Sequence, residues 1–108
     1  MIAPAMGRLT THVLDTAAGR PARGVGIVVR RDGAVLAETT TNADGRTDAP
    51  LLADAPPGAY EIEFAVGEYF GGAGFLDRVP VRFRVDAGSD YHVPLLCSPW
   101  AYSTYRGS

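Results

Sequence analysis

The sequence predicts an all-β protein, a two-sheet antiparallel sandwich, and three observations carry that reading. Short runs of alternating or β-branched residues recur along all 108 residues, and 13 Gly and 8 Pro punctuate them. No stretch longer than about ten residues keeps a helical period, so the intervening helices of an α/β fold are missing. An Asp-Gly pair at positions 32 and 33 separates two such runs, a strong short-range hairpin signal.

Taken in order, Arg8 to Asp15 is the first predicted strand, and Ala17-Ala18-Gly19-Arg20-Pro21 ends it because Gly permits a positive φ and Pro fixes the exit. Val25 to Arg31 and Ala34 to Thr41 form the hairpin around Asp32-Gly33, a type I′ turn in which both central residues want φ > 0. Asn42-Ala43-Asp44-Gly45 is another turn, and it leads through Arg46 and Thr47 into a segment that Pro50 restricts to an edge or a bulge. Pro56-Pro57-Gly58 resets the chain. From Ala59 to Val66 the residues alternate, with Tyr60, Ile62, Phe64 and Val66 on one face and Glu61 and Glu63 on the other.

Gly67 to Gly74 is read as one helical turn or a loop around Tyr69 and Phe70, since its glycines discourage anything longer. Val79 to Val85 alternates again, with Val81, Phe83 and Val85 inward and Arg82 and Arg84 outward, before a turn at Asp86-Ala87-Gly88-Ser89. Tyr91 to Cys97 is apolar on both faces, which marks a central strand or one covered by a partner subunit. Ser98-Pro99 breaks it before a last strand at Ala101 to Arg106. The count is about eight strands in one domain spanning 1–108, a length that supports a single core.

Composition narrows the function classes. The chain is 46% hydrophobic and 20% charged, which is the profile of a folding chain rather than a disordered one. Its formal net charge is -2, so it lacks the basic footprint that nucleic acid or anionic membranes select. The opening residues show no charged start followed by a long apolar stretch, and the expectation is a cytoplasmic location. All ten basic residues are Arg, and the single Cys97 lies in an apolar run where a thiol behaves as a small buried hydrophobe.

Two histidines, His12 and His92, lie within predicted strands, sharing faces with Thr10 and Leu14 and with Pro94 and Leu96. Each is either a hydrogen-bonded core histidine or a general acid and base working near neutrality. Position alone leaves both open. Arg46, following a tight turn, is a solvated turn residue or a fork of donors for a carbonyl or an anion. The tail Tyr105-Arg106-Gly107-Ser108 is a final edge strand or a terminus held at a site. Histidines eighty residues apart give no metal-ligand spacing, so the expectation is no metal and no cofactor, and the lack of a nucleophile elbow around Ser108 favours water as nucleophile.

With those residues named, a resemblance emerges. Leu9-Thr10-Thr11-His12-Val13-Leu14-Asp15 with Gly19-Arg20-Pro21-Ala22 resembles the amino-terminal signature of the transthyretin-like family. Thr41 to Thr47 resembles its second block, and Tyr91-His92-Val93-Pro94-Leu95-Leu96 with Ser98-Pro99 its third. The closing Tyr105-Arg106-Gly107-Ser108 is similar to the mark of the 5-hydroxyisourate hydrolase branch, which the hormone carriers of the family lack.

The resemblance covers essentially the whole chain and implies a transthyretin-like sandwich, assembled as a homotetramer with active sites between subunits. It implies hydrolysis of 5-hydroxyisourate with His12, Arg46, His92 and Ser108 as catalytic residues and Tyr105, Arg106 and Gly107 as substrate-binding ones. His92 is favoured as the base, and Arg46 and Arg106 are expected to hold the substrate's carbonyl oxygens. The competing expectations are a non-catalytic carrier of a small ligand and a structural β-sandwich module. Two departures from the family pattern stand out, Phe75-Leu76-Asp77-Arg78-Val79 and Asp90, where relatives often carry another His.

Overall fold

The computed structural model describes residues 7–107. Across them run β1 (Gly7–Asp15), β2 (Arg20–Pro21), β3 (Gly26–Arg31), β4 (Ala34–Thr40), β5 (Leu52–Ala55), β6 (Gly58–Phe64), one helical turn α1 (Val66–Tyr69), β7 (Val79–Val85), β8 (Tyr91–Cys97) and β9 (Tyr102–Thr104). Two sheets form. One has the order β2-β1-β8-β9 with β5 also paired to β1, and the other has the order β4-β3-β6-β7. This is the expected all-β sandwich.

The hairpin forms as predicted, with φ of 51° at Asp32 and 80° at Gly33. The segment after Pro50 becomes β5, an edge strand whose register against β1 shifts between Gly7 and Leu9. Three details differ from the sequence reading. Described strands number nine rather than about eight, because β2 and β5 are short additions to the edge of β1. Val66 keeps its place in the core but belongs to α1, the strand having ended at Phe64.

The third difference is that β1 and β8 run parallel, from Leu9 opposite Tyr91 to Asp15 opposite Cys97, so the first sheet is not purely antiparallel. Parallel neighbours need a long connection, and here the whole second sheet lies between them in the chain. This pairing defines the centre of the first sheet and brings the two histidine-bearing strands side by side.

Alternation supplies the core. Leu9, Val13 and Leu95 from the first sheet and Ile27, Val29, Ile62 and Phe64 from the second are buried and belong to one apolar cluster. Fully burying side chains of this size stabilises the fold by roughly 1.5–3 kcal/mol each. The polar groups drawn inward are satisfied: Thr11 Oγ1 donates to the Val93 carbonyl at 2.7 Å, and Thr41 Oγ1 accepts from Val25 N and donates to the Ala22 carbonyl. Asp15, 5% exposed, accepts from Ala18 N and from the Tyr69 hydroxyl, which ties α1 to the end of β1. Burial and this carboxylate push the Tyr69 phenol up to about 12. Cys97 is buried, and burial together with Asp15 pushes its thiol up to about 11, so it stays protonated and packs as an apolar group.

The segment that departs from the family pattern is anchored by its backbone. Phe75 N and Leu76 N both donate to the Pro99 carbonyl, and Asp77 O accepts from Gly67 N.

Candidate active site

Inward alternation on β1 forces its remaining side chains outward, so Thr10 and His12 share the outer face of the first sheet. On β8 the same rule sends Tyr91, Val93 and Leu95 inward and His92 outward. The parallel register makes Thr10 the direct partner of His92, and Thr10 Oγ1 lies 2.9 Å from His92 Nδ1. His12 is two residues along the same face, paired with Pro94.

Arg46 is delivered by the turn predicted before it. Asn42 Oδ1 accepts from Asp44 N and Arg46 N, and Asn42 N donates to the Arg46 carbonyl. Gly45 sits at a φ of 73°, and a Cβ there would fall 2.3 Å from the Val13 carbonyl oxygen. Only glycine permits that approach, and Val13 N closes it by donating to the Gly45 carbonyl at 2.8 Å. The turn is thereby docked on β1, and Arg46 emerges beside Thr10.

Arg46, Thr10 and His92 line one pocket of about 340 Å³ together with Arg8, Asp90 and Tyr91. Asp90 Oδ1 accepts from Arg8 N at 2.8 Å, which fastens the start of β1 to the residue preceding β8. The His92 imidazole is held below its ordinary pKa of 6.5, first by partial burial, then by the positive charge of Arg46 and by His12. It is therefore neutral near neutrality, the state in which it accepts a proton. A larger depression of about 560 Å³ lies elsewhere, but two of its cations, Arg30 and Arg82, are paired with Glu61, and no imidazole reaches it.

The tail meets the site from behind. Gly107 N donates to the His92 carbonyl at 2.7 Å, the pair forming an isolated antiparallel bridge. A Cβ on Gly107 would fall 2.6 Å from His92 Cδ2, so the ring lies directly against this glycine. Gly107 thus supports the imidazole and is not among the pocket's lining residues.

Arg106 and Tyr105 are placed elsewhere. The Arg106 guanidinium stacks 4.1 Å from the centroid of the Tyr91 ring and Nη2 reaches the Asp90 carbonyl at 3.5 Å. Both residues line an apolar cleft with Val81, Phe83 and Val93, not the pocket shared by His92 and Arg46. Arg106 therefore does not line the pocket that holds Arg46, but it contacts Tyr91 and Asp90, which do. The physical reason is alternation: with Gly107 bridged to His92, its neighbour Arg106 turns toward Tyr91. Ser108 lies outside the described residues.

Sequence reasoning placed Thr10 on the face of His12 but gave it no part in the site, and it passed over Arg8. Their convergence depends on the parallel register, which no local pattern encodes. Among the described residues no three His, Cys, Asp or Glu side chains gather to hold a metal ion, and no helix is long and apolar enough to cross a membrane.

The fold is a two-sheet sandwich that sets an imidazole and a guanidinium in one pocket on the outer face of its mixed sheet. Residues 9–107 match the model of the HIUase/Transthyretin family, and the chain belongs to that family. It is 55% identical to the 5-hydroxyisourate hydrolase of Mesorhizobium japonicum over 94% of this chain and 93% of that protein. Among solved structures it superposes on Klebsiella pneumoniae 5-hydroxyisourate hydrolase with a TM-score of 0.88 at 37% identity, covering 95% of this chain and 100% of that one. It also superposes on (S)-allantoin synthase with a TM-score of 0.90 at 43% identity, covering 97% of this chain but 45% of that longer one.

Proposed function

We propose that this protein hydrolyses 5-hydroxyisourate to 2-oxo-4-hydroxy-4-carboxy-5-ureidoimidazoline, a step of urate breakdown, without a cofactor. The observation that carries the reading is the placement of the His92 imidazole, bonded through Nδ1 to Thr10 and sharing a pocket with the guanidinium of Arg46. Membership of the family and 55% identity to a protein named for this reaction supply the substrate.

In the mechanism, His92 takes a proton from water as the water oxygen adds to the ring carbonyl. Arg46 donates hydrogen bonds to the oxygen on which negative charge develops. The tetrahedral adduct then collapses: the ring carbon–nitrogen bond breaks, and the imidazolium returns its proton to the departing nitrogen. His12, on the same face, steers the substrate, and Ser108, one position beyond Gly107 in sequence, is assigned to close the pocket. Arg106, stacked on Tyr91 of its own protomer, is assigned with Tyr105 and Gly107 to the substrate-binding tail.

The reading extends to a cytoplasmic homotetramer with sites at subunit interfaces. Support comes from the outer face of the first sheet, where the half-buried Leu14 and Leu96 add apolar surface beside an open pocket that needs a cover to exclude water.

The test is the ultraviolet decay of 5-hydroxyisourate, made fresh from urate and urate oxidase, with and without the protein. The substrate decays unaided, so acceleration is the signal. His92→Ala is expected to lose roughly 10²–10⁴-fold in rate. No acceleration by folded, tetrameric wild-type protein overturns the proposal.

A further inference from the structure

We infer that Thr10 is a positioning residue for the reaction: its hydroxyl accepts the Nδ1 proton of His92 and thereby fixes the imidazole in the tautomer whose Nε2 lone pair faces the pocket. For its kinetic consequence this inference rests on the hydrolase reading above.

The argument begins with the register. Thr10 and His92 are cross-strand partners in the parallel pair, so their side chains leave the sheet on the same face as neighbours. The 2.9 Å separation of Thr10 Oγ1 and His92 Nδ1 is a full hydrogen bond. In a neutral imidazole one nitrogen carries the proton and the other a lone pair, and the partner of one decides the character of the other.

The second grip is at the opposite edge of the ring. The backbone of Gly107 lies so close to Cδ2 that a Cβ would be 2.6 Å away, while Gly107 N is bonded to the His92 carbonyl. With the Nδ1 edge on Thr10 and the Cδ2 edge on the tail, the Cε1–Nε2 edge is the one left for the pocket.

Charge selects between the two tautomers. The pocket is lined by two guanidinium groups, Arg8 and Arg46, which are donors only. An Nε2 proton would meet those donors, whereas an Nε2 lone pair is stabilised by them. The remaining titratable groups nearby are His12 and Asp90, and Asp90 Oδ1 already accepts from Arg8 N. Thr10 is suited to either role because its hydroxyl both donates and accepts, so it is the pocket's donors that make it the acceptor.

Two variants and one spectrum test this. Thr10→Val keeps the shape without the hydroxyl, and Thr10→Ser keeps the hydroxyl. With ¹⁵N-labelled histidine, wild type and Thr10→Ser are expected to show His92 protonated on Nδ1 above its pKa, and Thr10→Val is expected to lose that preference. In the hydroxyisourate assay kcat of Thr10→Val should fall roughly 10–100-fold with KM changed less than about threefold, while Thr10→Ser recovers the rate. A wild-type His92 protonated on Nε2, a Thr10→Val enzyme with wild-type kcat, or a Thr10→Ser enzyme as slow as Thr10→Val would each overturn the inference. If wild-type protein fails to accelerate the decay, the hydrolase reading falls alone, and the nitrogen spectrum still decides the role of Thr10.

Discussion

Replacing Gly107 by alanine perturbs the site at a contact without slack. The new Cβ would stand 2.6 Å from His92 Cδ2 and 3.3 Å from both Cγ and the His92 carbonyl oxygen, where ordinary contact begins at 3.4 Å. The ring or the tail must therefore move by about 0.8 Å, and a shift near 1 Å at a reacting group costs up to about 100-fold in rate. Neither partner moves freely. The ring is held by Thr10 at 2.9 Å, and the tail is held by the 2.7 Å bond from Gly107 N to the His92 carbonyl. Relief requires lengthening one of these bonds, and either choice displaces the imidazole or its support.

Because one hydrogen bond at the chain end is affected, stability should change by no more than about 1 kcal/mol. The assay pairs the initial rate of hydroxyisourate decay with a thermal melt of the same sample. An alanine variant that folds and stays within about twofold of the wild-type rate would refute the reasoning that the tail sets the position of His92.

Further outcomes follow from the same geometry. Since His92 is held below 6.5, the acid limb of kcat/KM should lie below pH 6.5, and Arg46→Gln, by removing a positive charge, should move it upward; a pH–rate series reads both. The folded state binds this proton less readily than the unfolded chain, so His92 costs no stability above pH 6.5 and weakens the fold as pH falls from there toward its depressed pKa, which melts across pH will show. Leu95→Ala, at a fully buried site on the central β8, should destabilise the fold by about 2–5 kcal/mol in urea unfolding. Tyr69→Phe removes a donor from the buried Asp15 carboxylate and should cost about 1–3 kcal/mol, and it should abolish a phenol titration expected near pH 12 in the wild-type absorbance.

Most of the fold was legible locally. Asp32-Gly33 specified a type I′ hairpin because both positions demand φ > 0, and Tyr60, Ile62 and Phe64 declared an inward face through a period of two. The doubly apolar Tyr91–Cys97 marked a central strand, and it lies between β1 and β9. The end of that regularity was less visible: Val66 continues the apolar alternation, yet the chain turns into α1, where Gly67 passes within 2.9 Å of Asp77 Cα as measured from the Cβ position it lacks.

By itself the sequence determined the all-β class, the turns, the inward faces and the residue types available for chemistry: His12, His92, Arg46 and the tail. These are properties of neighbours along the chain, where sterics and alternation act over a few residues. Only the tertiary structure decided which of them meet. The parallel pairing of β1 with β8 joins residues 82 positions apart, setting Thr10 on His92, and the docking of Gly45 on Val13 brings Arg46 to the same pocket. The bridge from Gly107 to His92 sets the tail beside Tyr91 and Asp90, where Arg106 stacks on the one and reaches the carbonyl of the other. Register between distant strands is chosen by the packing of the whole sandwich, and a one-residue slip would send every one of these side chains to the opposite face.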